Sequence, residues 1–276
     1  MLLTFWAWRA ARRLRDYRPK KVTIRSINKW LSQFPKSDRK ALIGLLNRVR
    51  YFSEPETERA LVELNRRLLD RLAGSGISID RVVYVQVDEA GSSSGVMLNK
   101  LRDAARLEGQ GCRFLYSKDI PGLRRATEEL GEGAIIYVDD FSGTGNQFLE
   151  SWQFARQFVV GSFSEFFLLP CICQEAKDLL DLQGVEPVAQ HIHTIAERPL
   201  HDRCTVLRPD IKKRLRDLCA EISETSHGLG YKRLATMVVI YTNAPNHTPL
   251  VLRGNPSQNK YIGVIPRTTD LPFDQK

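Results

Sequence analysis

Between Ser26 and about Leu72, apolar residues recur at helical spacing. Ile27, Trp30, Leu31 and Phe34 form one stripe, and Ala41, Leu42, Leu45, Leu46 and Val49 a second. Leu61, Leu64, Leu68, Leu69 and Leu72 form a third, with breaks at Pro35 and at Ser53–Pro55. Gly74-Ser75-Gly76 closes this helical region, and the period then changes. Short apolar runs predict strands at 82–87, 113–116, 135–138, 166–172 and 188–195. Helical patterns lie between them: from Met97 to Ala105, at 123–130, from about Asn146, and at 175–182. Such alternation predicts an α/β fold, a mainly parallel, doubly wound sheet with both faces covered. Right-handed crossovers then bring the loops that follow the strands to one edge. Beyond the sheet, 211–222 reads as a basic amphipathic helix, 234–241 as a strand, 243–249 as a polar turn-rich loop and 250–252 as a strand. The expected organisation is a basic N-terminal tail (1–25), a helical region packed on the core (26–76), an α/β domain with a strand/loop extension (77–252) and a loose C-terminal tail (253–276).

Charge changes this picture at one end only. The chain of 276 residues carries a net charge of +9. Residues 1–21 hold Arg9, Arg12, Arg13, Arg15, Arg18, Lys20 and Lys21 against Asp16 alone. Basicity is therefore mainly a property of the tail and argues little for nucleic-acid binding by the core. The apolar stretch Leu2 to Ala7 is far shorter than the roughly 20 residues a membrane span requires. A peripheral basic helix is expected, with an interfacial helix or a targeting segment as alternatives. The cysteines (Cys112, Cys171, Cys173, Cys204 and Cys219) are odd in number and spaced for neither a disulfide framework nor zinc. They suit small buried apolar groups in a reducing cytoplasm.

The chemistry gathers at Ile135-Ile136-Tyr137-Val138-Asp139-Asp140-Phe141-Ser142-Gly143-Thr144-Gly145-Asn146-Gln147. A buried strand ends on two carboxylates and a small-residue turn, and a helix follows. Backbone N–H groups at such a turn and helix start suit a phosphate. The carboxylates suit sugar hydroxyls, directly or through a divalent cation. A second small-residue loop, Asp88 to Gly95, follows the 82–87 strand and should open on the same edge. No Gly-Lys-Ser/Thr ends the 143–147 turn, which excludes a P-loop, and Phe148 stands where a dinucleotide fingerprint needs glycine. Asp139 to Gly145 also looks like the cofactor loop of S-adenosylmethionine-dependent DNA methyltransferases. Those enzymes carry a Pro-Pro-Tyr or Pro-Pro-Phe motif, and this chain has no Pro-Pro.

The segment resembles more closely the signature of type I phosphoribosyltransferases, over roughly residues 80 to 195. The layout from about 26 to 252 is similar to phosphoribosyltransferase-like proteins of bacterial conflict and defence systems, some retron-associated. Trp30, Leu31 and Phe34, the Asp-Asp-Phe-Ser-Gly loop, and Gly230-Tyr231 ahead of an Asn-x-Pro-Asn turn (243–246) carry that likeness. The resemblance implies that 77–252 is a phosphoribosyltransferase-like domain whose Asp139 and Asp140 hold the ribose of phosphoribosyl pyrophosphate (PRPP). It implies that Ser142, Gly143, Thr144, Gly145, Asn146 and Gln147 hold the 5′-phosphate. Asp88, Glu89, Gly91, Ser92, Ser93, Ser94 and Gly95 would hold pyrophosphate, with Mg²⁺ as cofactor near Asp139 and Asp140. Tyr231, Lys232 and Asn246 are candidates for a lid or acceptor wall, and Lys100, Arg102 or Lys118 for added positive charge.

Two departures stand out: Gly143 where many type I enzymes carry an acid, and Gln147 where a helix-capping Ser/Thr is usual. The expected function is phosphoribosyl transfer to an unknown acceptor, in the setting of a defence effector that works with other proteins of its system. A non-catalytic sensor of PRPP or a nucleotide, and the methyltransferase, are the alternatives. His191-x-His193 places two histidines on one strand face, but no third metal ligand stands at a convincing spacing.

Overall fold

The computed structural model describes residues 2–87, 93–223, 228–254 and 261–270. Its backbone separates into two compact units, Pro55–Ile192 on one hand and Met1–Glu54 with His193–Lys276 on the other. These limits cut the chain at other places than the expected segments: the helical region 26–76 and the span 77–252 each contribute to both units.

The unit formed by 55–192 holds the α/β sheet. Strands β2 (Val82–Gln86), β3 (Arg113–Tyr116), β4 (Glu132–Val138), β5 (Phe141–Ser142) and β6 (Ser162–Cys173) run in the order β3-β2-β4-β6-β5, and β7 (Glu186–His193) pairs with β6. The registered pairs β2–β3, β2–β4, β4–β6 and β5–β6 are all parallel. Helices α4 (Glu54–Gly74), α5 (Ser93–Ala104), α6 (Ile120–Leu130), α7 (Asn146–Arg156) and α8 (Gln174–Leu182) supply the connections. The sheet's two faces follow from the strands' period of two, with apolar residues on both. Val83, Val85, Ile135, Tyr137, Phe167 and Leu169 pack with Leu123 of α6, Phe148 and Trp152 of α7, and Ala176 and Leu180 of α8. Phe148 stacks on Phe167 at 4.0 Å and meets Tyr137 edge-on at 5.3 Å. On the opposite face, buried Tyr84 donates its hydroxyl to Oδ1 of Asn65 on α4 at 2.7 Å. The expected doubly wound α/β architecture is the observed one.

The second unit joins the two ends of the chain. It contains α1 (Leu2–Arg13), α2 (Ile24–Ser32), α3 (Arg39–Asn47), β1 (Arg50–Phe52), α9 (Pro209–Ile222), β8 (Val238–Ile240) and α10 (Leu250–Arg253). Strands β1 and β8 form a separate two-stranded parallel sheet. The basic segment expected as a tail is built into this unit. Ala7, Ala10 and Leu14 are fully buried, and the Arg13 guanidinium donates to the carbonyls of Leu46 and Asn47 at the end of α3. Both carbonyls belong to the last turn of α3, where helix carbonyls lose their regular partners, and that of Leu46 also accepts the Val49 N–H. Trp30 donates Nε1–H to the Val251 carbonyl at 2.9 Å, and Arg214 of α9 pairs with Asp38 at 2.7 Å.

Two expectations for this unit change. Of 234–241 only Val238–Ile240 is strand, and it lies outside the main sheet. The apolar triplet 250–252 is helix, not strand: all three residues are buried, the N–H of Arg253 reaches the Pro249 carbonyl, and Gly254 ends the turn at φ 89°. A run of three buried residues shows no alternation to tell strand from helix.

Candidate functional site

The acid pair sits where one strand is interrupted. Val138 is level with Leu168 at the end of β4, and Phe141 is level with Cys171 in β5. The same register puts Asp140 opposite Pro170, which has no N–H to give, and the ladder breaks there. The N–H of Asp139 still reaches the Leu168 carbonyl at 3.2 Å. The Asp139 carboxylate is 8% exposed and accepts the N–H of Asp140 through Oδ1 at 2.8 Å. Asp140 is half-buried. Burial pushes its carboxyl above the usual range, against the pull of hydrogen bonds with Asp139, Ser93 and the Phe141 N–H.

Ser93 links this pair to the neighbouring loop. Gln86 and Val138 are in register at the ends of β2 and β4, and the start of α5 meets the acid pair at this edge of the sheet. The Ser93 hydroxyl lies 3.5 Å from Asp139 Oδ1. Ser94 and Gly95 are buried in the first turn of α5, and a Cβ on Gly95 would come within 2.8 Å of Gln86 Oε1. A side chain at this position would have to displace the Gln86 amide. Asp88, Glu89, Gly91 and Ser92 lie outside the described residues.

After β5 the chain turns through Gly143 and Thr144 into α7. Gly145 occupies the cap position at φ 79°, and no side chain caps the helix. The Asn146 N–H is 3.4 Å from Thr144 Oγ1, and Gln147 is exposed. The first-turn N–H groups and the positive end of α7 thus follow the acid pair directly, an arrangement that takes an anion.

Lys100 and Arg102, suggested as added charge, stand in ion pairs with Glu58 at 3.3 Å and with Asp103 and Glu108 at 3.2 and 3.4 Å. Lys118 is exposed.

Tyr231, Lys232 and Asn246 belong to the other unit, where they are brought together. The N–H of Tyr231 donates to the Asn246 carbonyl at 3.0 Å, and Lys232 Nζ stands 5.7 Å from the Tyr231 ring centre. The turn that holds them is strained: Lys232, Arg233 and Ala235 all have positive φ, between 49° and 56°. Left-handed non-glycine residues cost about 1–2 kcal/mol each. Gly230, at φ 82°, passes so close to His247 that a Cβ would meet its carbonyl at 2.3 Å. His247 is pushed down to about 4 by burial and by the nearby charges of Arg267, Arg253, Lys232 and Arg198. His193 accepts the Met237 N–H through Nε2 at 3.1 Å, so the neutral ring carries its proton on Nδ1, facing Glu197 Oε2 at 3.5 Å. With Nε2 accepting that N–H, the neutral ring has no lone pair left for a metal.

The break at Pro170 was not anticipated from sequence. Its signal was present: a proline inside an apolar run that otherwise reads as an inner strand.

A parallel sheet, an acid pair at a strand end and a small-residue turn opening a helix define a phosphoribosyltransferase-like protein. The family model PRTase-CE matches residues 27–267, and the chain belongs to that family. No curated protein matches the sequence. Similar solved structures include orotate phosphoribosyltransferase from Aeropyrum pernix, 18% identical over 49% of this chain and 69% of that one, with a TM-score of 0.32. They also include TT1426 from Thermus thermophilus, 15% identical over 52% of this chain and 85% of that one, with a TM-score of 0.33.

Proposed function

We propose that this protein binds PRPP with Mg²⁺ and transfers its phosphoribosyl group to an acceptor. The observation that carries the proposal is the joining of three features in one place. The Asp139-Asp140 pair, the uncapped start of α7 behind Gly145, and Ser93 at the start of α5 all lie at the ends of adjacent parallel strands. A ribose 5-phosphate needs hydroxyl acceptors on one side and phosphate donors on the other, and this arrangement supplies both.

In the proposed reaction the bond from the anomeric carbon to pyrophosphate breaks and a bond to the acceptor forms. The leaving group takes the electron pair, and the sugar passes through an oxocarbenium-like state. Asp139 and Asp140 accept hydrogen bonds from the ribose hydroxyls and favour positive charge on the ring. Backbone N–H groups of 143–147 hold the phosphate and fix the sugar's orientation. Ser93, at the start of α5, faces the leaving group. Two carboxylates and serine hydroxyls form a hard-oxygen donor set that suits Mg²⁺ completed by substrate oxygens. Asp139 and Asp140 would hold the ion, which supplies charge neutralisation of pyrophosphate when bound.

Calorimetric titration with PRPP and Mg²⁺ tests this reading. Wild type should bind, and Asp139→Asn with Asp140→Asn should weaken binding by about tenfold or more, as loss of charge-assisted hydrogen bonds requires. Unchanged affinity in that variant, or binding of S-adenosylmethionine instead, refutes it. A specific observation favours a second reading. Gly143 leaves no carboxylate next to Thr144, where many type I enzymes have one, so the site suits binding without turnover as well. Pyrophosphate release across a panel of acceptors separates enzyme from sensor. The resemblance to defence-associated proteins extends the proposal to a growth-arresting effector. Expression of wild type should then slow growth, and the double Asn variant should not.

A further inference from the structure

The α1 helix has two opposed faces. Ala7, Ala10 and Leu14 are fully buried on one side, and Arg13 is turned inward to the end of α3. At about 100° per residue, Phe5, Trp8 and Arg12 lie on the opposite side, with Arg9 beside them. Phe5 is 54% exposed and Trp8 46%. The Phe5 and Trp8 rings stack at 6.2 Å, Arg12 lies 5.5 Å from the Trp8 ring, and Arg9 lies 5.7 Å from that of Trp6. A single exposed aromatic is ordinary. Two stacked aromatics bordered by arginines, on the outer face of a helix whose inner face is already packed, do nothing for the fold.

We propose that the outer face of α1 docks on an anionic bilayer surface. Phe5 and Trp8 enter the boundary between headgroups and acyl chains, and Arg9 and Arg12 meet lipid phosphates. Charge complementarity selects this occupant. No acidic residue lies in α1, and the one acid among residues 1–21, Asp16, is engaged by the Tyr51 hydroxyl and the Glu54 N–H. The order of residues points the same way: of residues 1–8 only Thr4 is polar, and the arginines begin at Arg9. A strand of nucleic acid calls for aromatics and cations interleaved along a groove. An apolar turn followed by a basic one belongs to an interfacial helix. Contact is peripheral, since among the described residues no helix is long and apolar enough to cross a membrane.

The test is co-sedimentation of the full chain with vesicles of phosphatidylcholine alone, or with about one third phosphatidylserine. Wild type should prefer the anionic vesicles by about tenfold or more and be released by high salt. Phe5→Ser with Trp8→Ser, and separately Arg9→Gln with Arg12→Gln, should each lower that binding by about tenfold. Both pairs point away from the buried stripe, and unchanged circular dichroism and melting temperature would verify folding. The proposal fails if wild type ignores both vesicle types, binds neutral ones equally, or binds anionic ones as well after either substitution pair. It also fails if the chain takes up a fluorescent single-stranded oligonucleotide but no vesicles. Self-association that Phe5→Ser with Trp8→Ser abolishes, without vesicle binding, would assign the face to a second copy and overturn it too.

Discussion

Gly145 is the residue on which the turn proposed to hold phosphate depends. It holds φ 79° and ψ −17° just ahead of α7. A Cβ placed there would lie 3.4 Å from Leu179 Cδ2 and 3.5 Å from the Ala176 Cα, which is ordinary van der Waals contact. Space therefore does not forbid a side chain; the left-handed backbone does. Alanine in that conformation costs about 1–2 kcal/mol. The penalty can be met in two ways. If the turn holds its shape, stability falls by that amount, about 2–4 °C in melting temperature per kcal/mol for a domain of this size. If the turn relaxes, the N–H groups of 145–147 are re-aimed and PRPP affinity falls.

Asparagine separates the backbone effect from the loss of glycine as such, because its short polar side chain tolerates the left-handed region. Valine adds methyl groups toward Leu179 and Ala176 and should be worse than alanine. The expected order of stability is glycine, then asparagine, then alanine, then valine. Urea unfolding followed by tryptophan fluorescence would measure it, since Trp152 is buried on α7 against the sheet. Parallel titration with PRPP and Mg²⁺ would show how each variant divides the penalty between folding and binding. An alanine variant with wild-type midpoint and wild-type affinity refutes the argument. So does an asparagine variant less stable than alanine, which would mean that something other than backbone conformation selects glycine here.

Two further predictions follow from buried polar groups. Burial holds the Asp140 carboxyl above the ordinary carboxylate range. Between the unfolded and folded pKa values the native state then binds more protons, so wild-type stability falls as pH rises through that window. The melting temperature of Asp140→Asn relative to wild type should climb from about pH 4 upward and level off once Asp140 is ionised; a pH-independent difference contradicts this. Tyr84 and Asn65 form a buried pair at 2.7 Å, so Asn65→Leu leaves the Tyr84 hydroxyl without its partner, at a cost of about 1–3 kcal/mol. Asn65→Leu with Tyr84→Phe should be less destabilised than the single changes added together, and an additive double-mutant cycle would show that the bond contributes nothing.

The parts of the molecule that could be read from sequence are those whose signal is local. Strands β2, β4 and β6 are apolar on both faces, which is the mark of a covered parallel sheet, and the acid pair with its small-residue turn spans a few consecutive positions. The second unit is different in kind. Strand β1 is three residues long, too short a period to be seen alone; β8 is legible as part of the strand expected at 234–241, but its pairing with β1 across most of the chain length is not. In α1 the buried stripe is made largely of alanines, while the aromatics and arginines that dominate its composition face outward. Its sequence therefore describes the surface better than the contact, and an integral helix reads as a tail. Pro170 joins the two cases. Seen in β6 alone, it argues against an inner strand; seen across the ladder, it stands opposite Asp140, where no N–H is available to continue the pairing. The acid pair owes its position at a strand break to a residue that lies in another strand. Such a cause becomes visible only when the register is known.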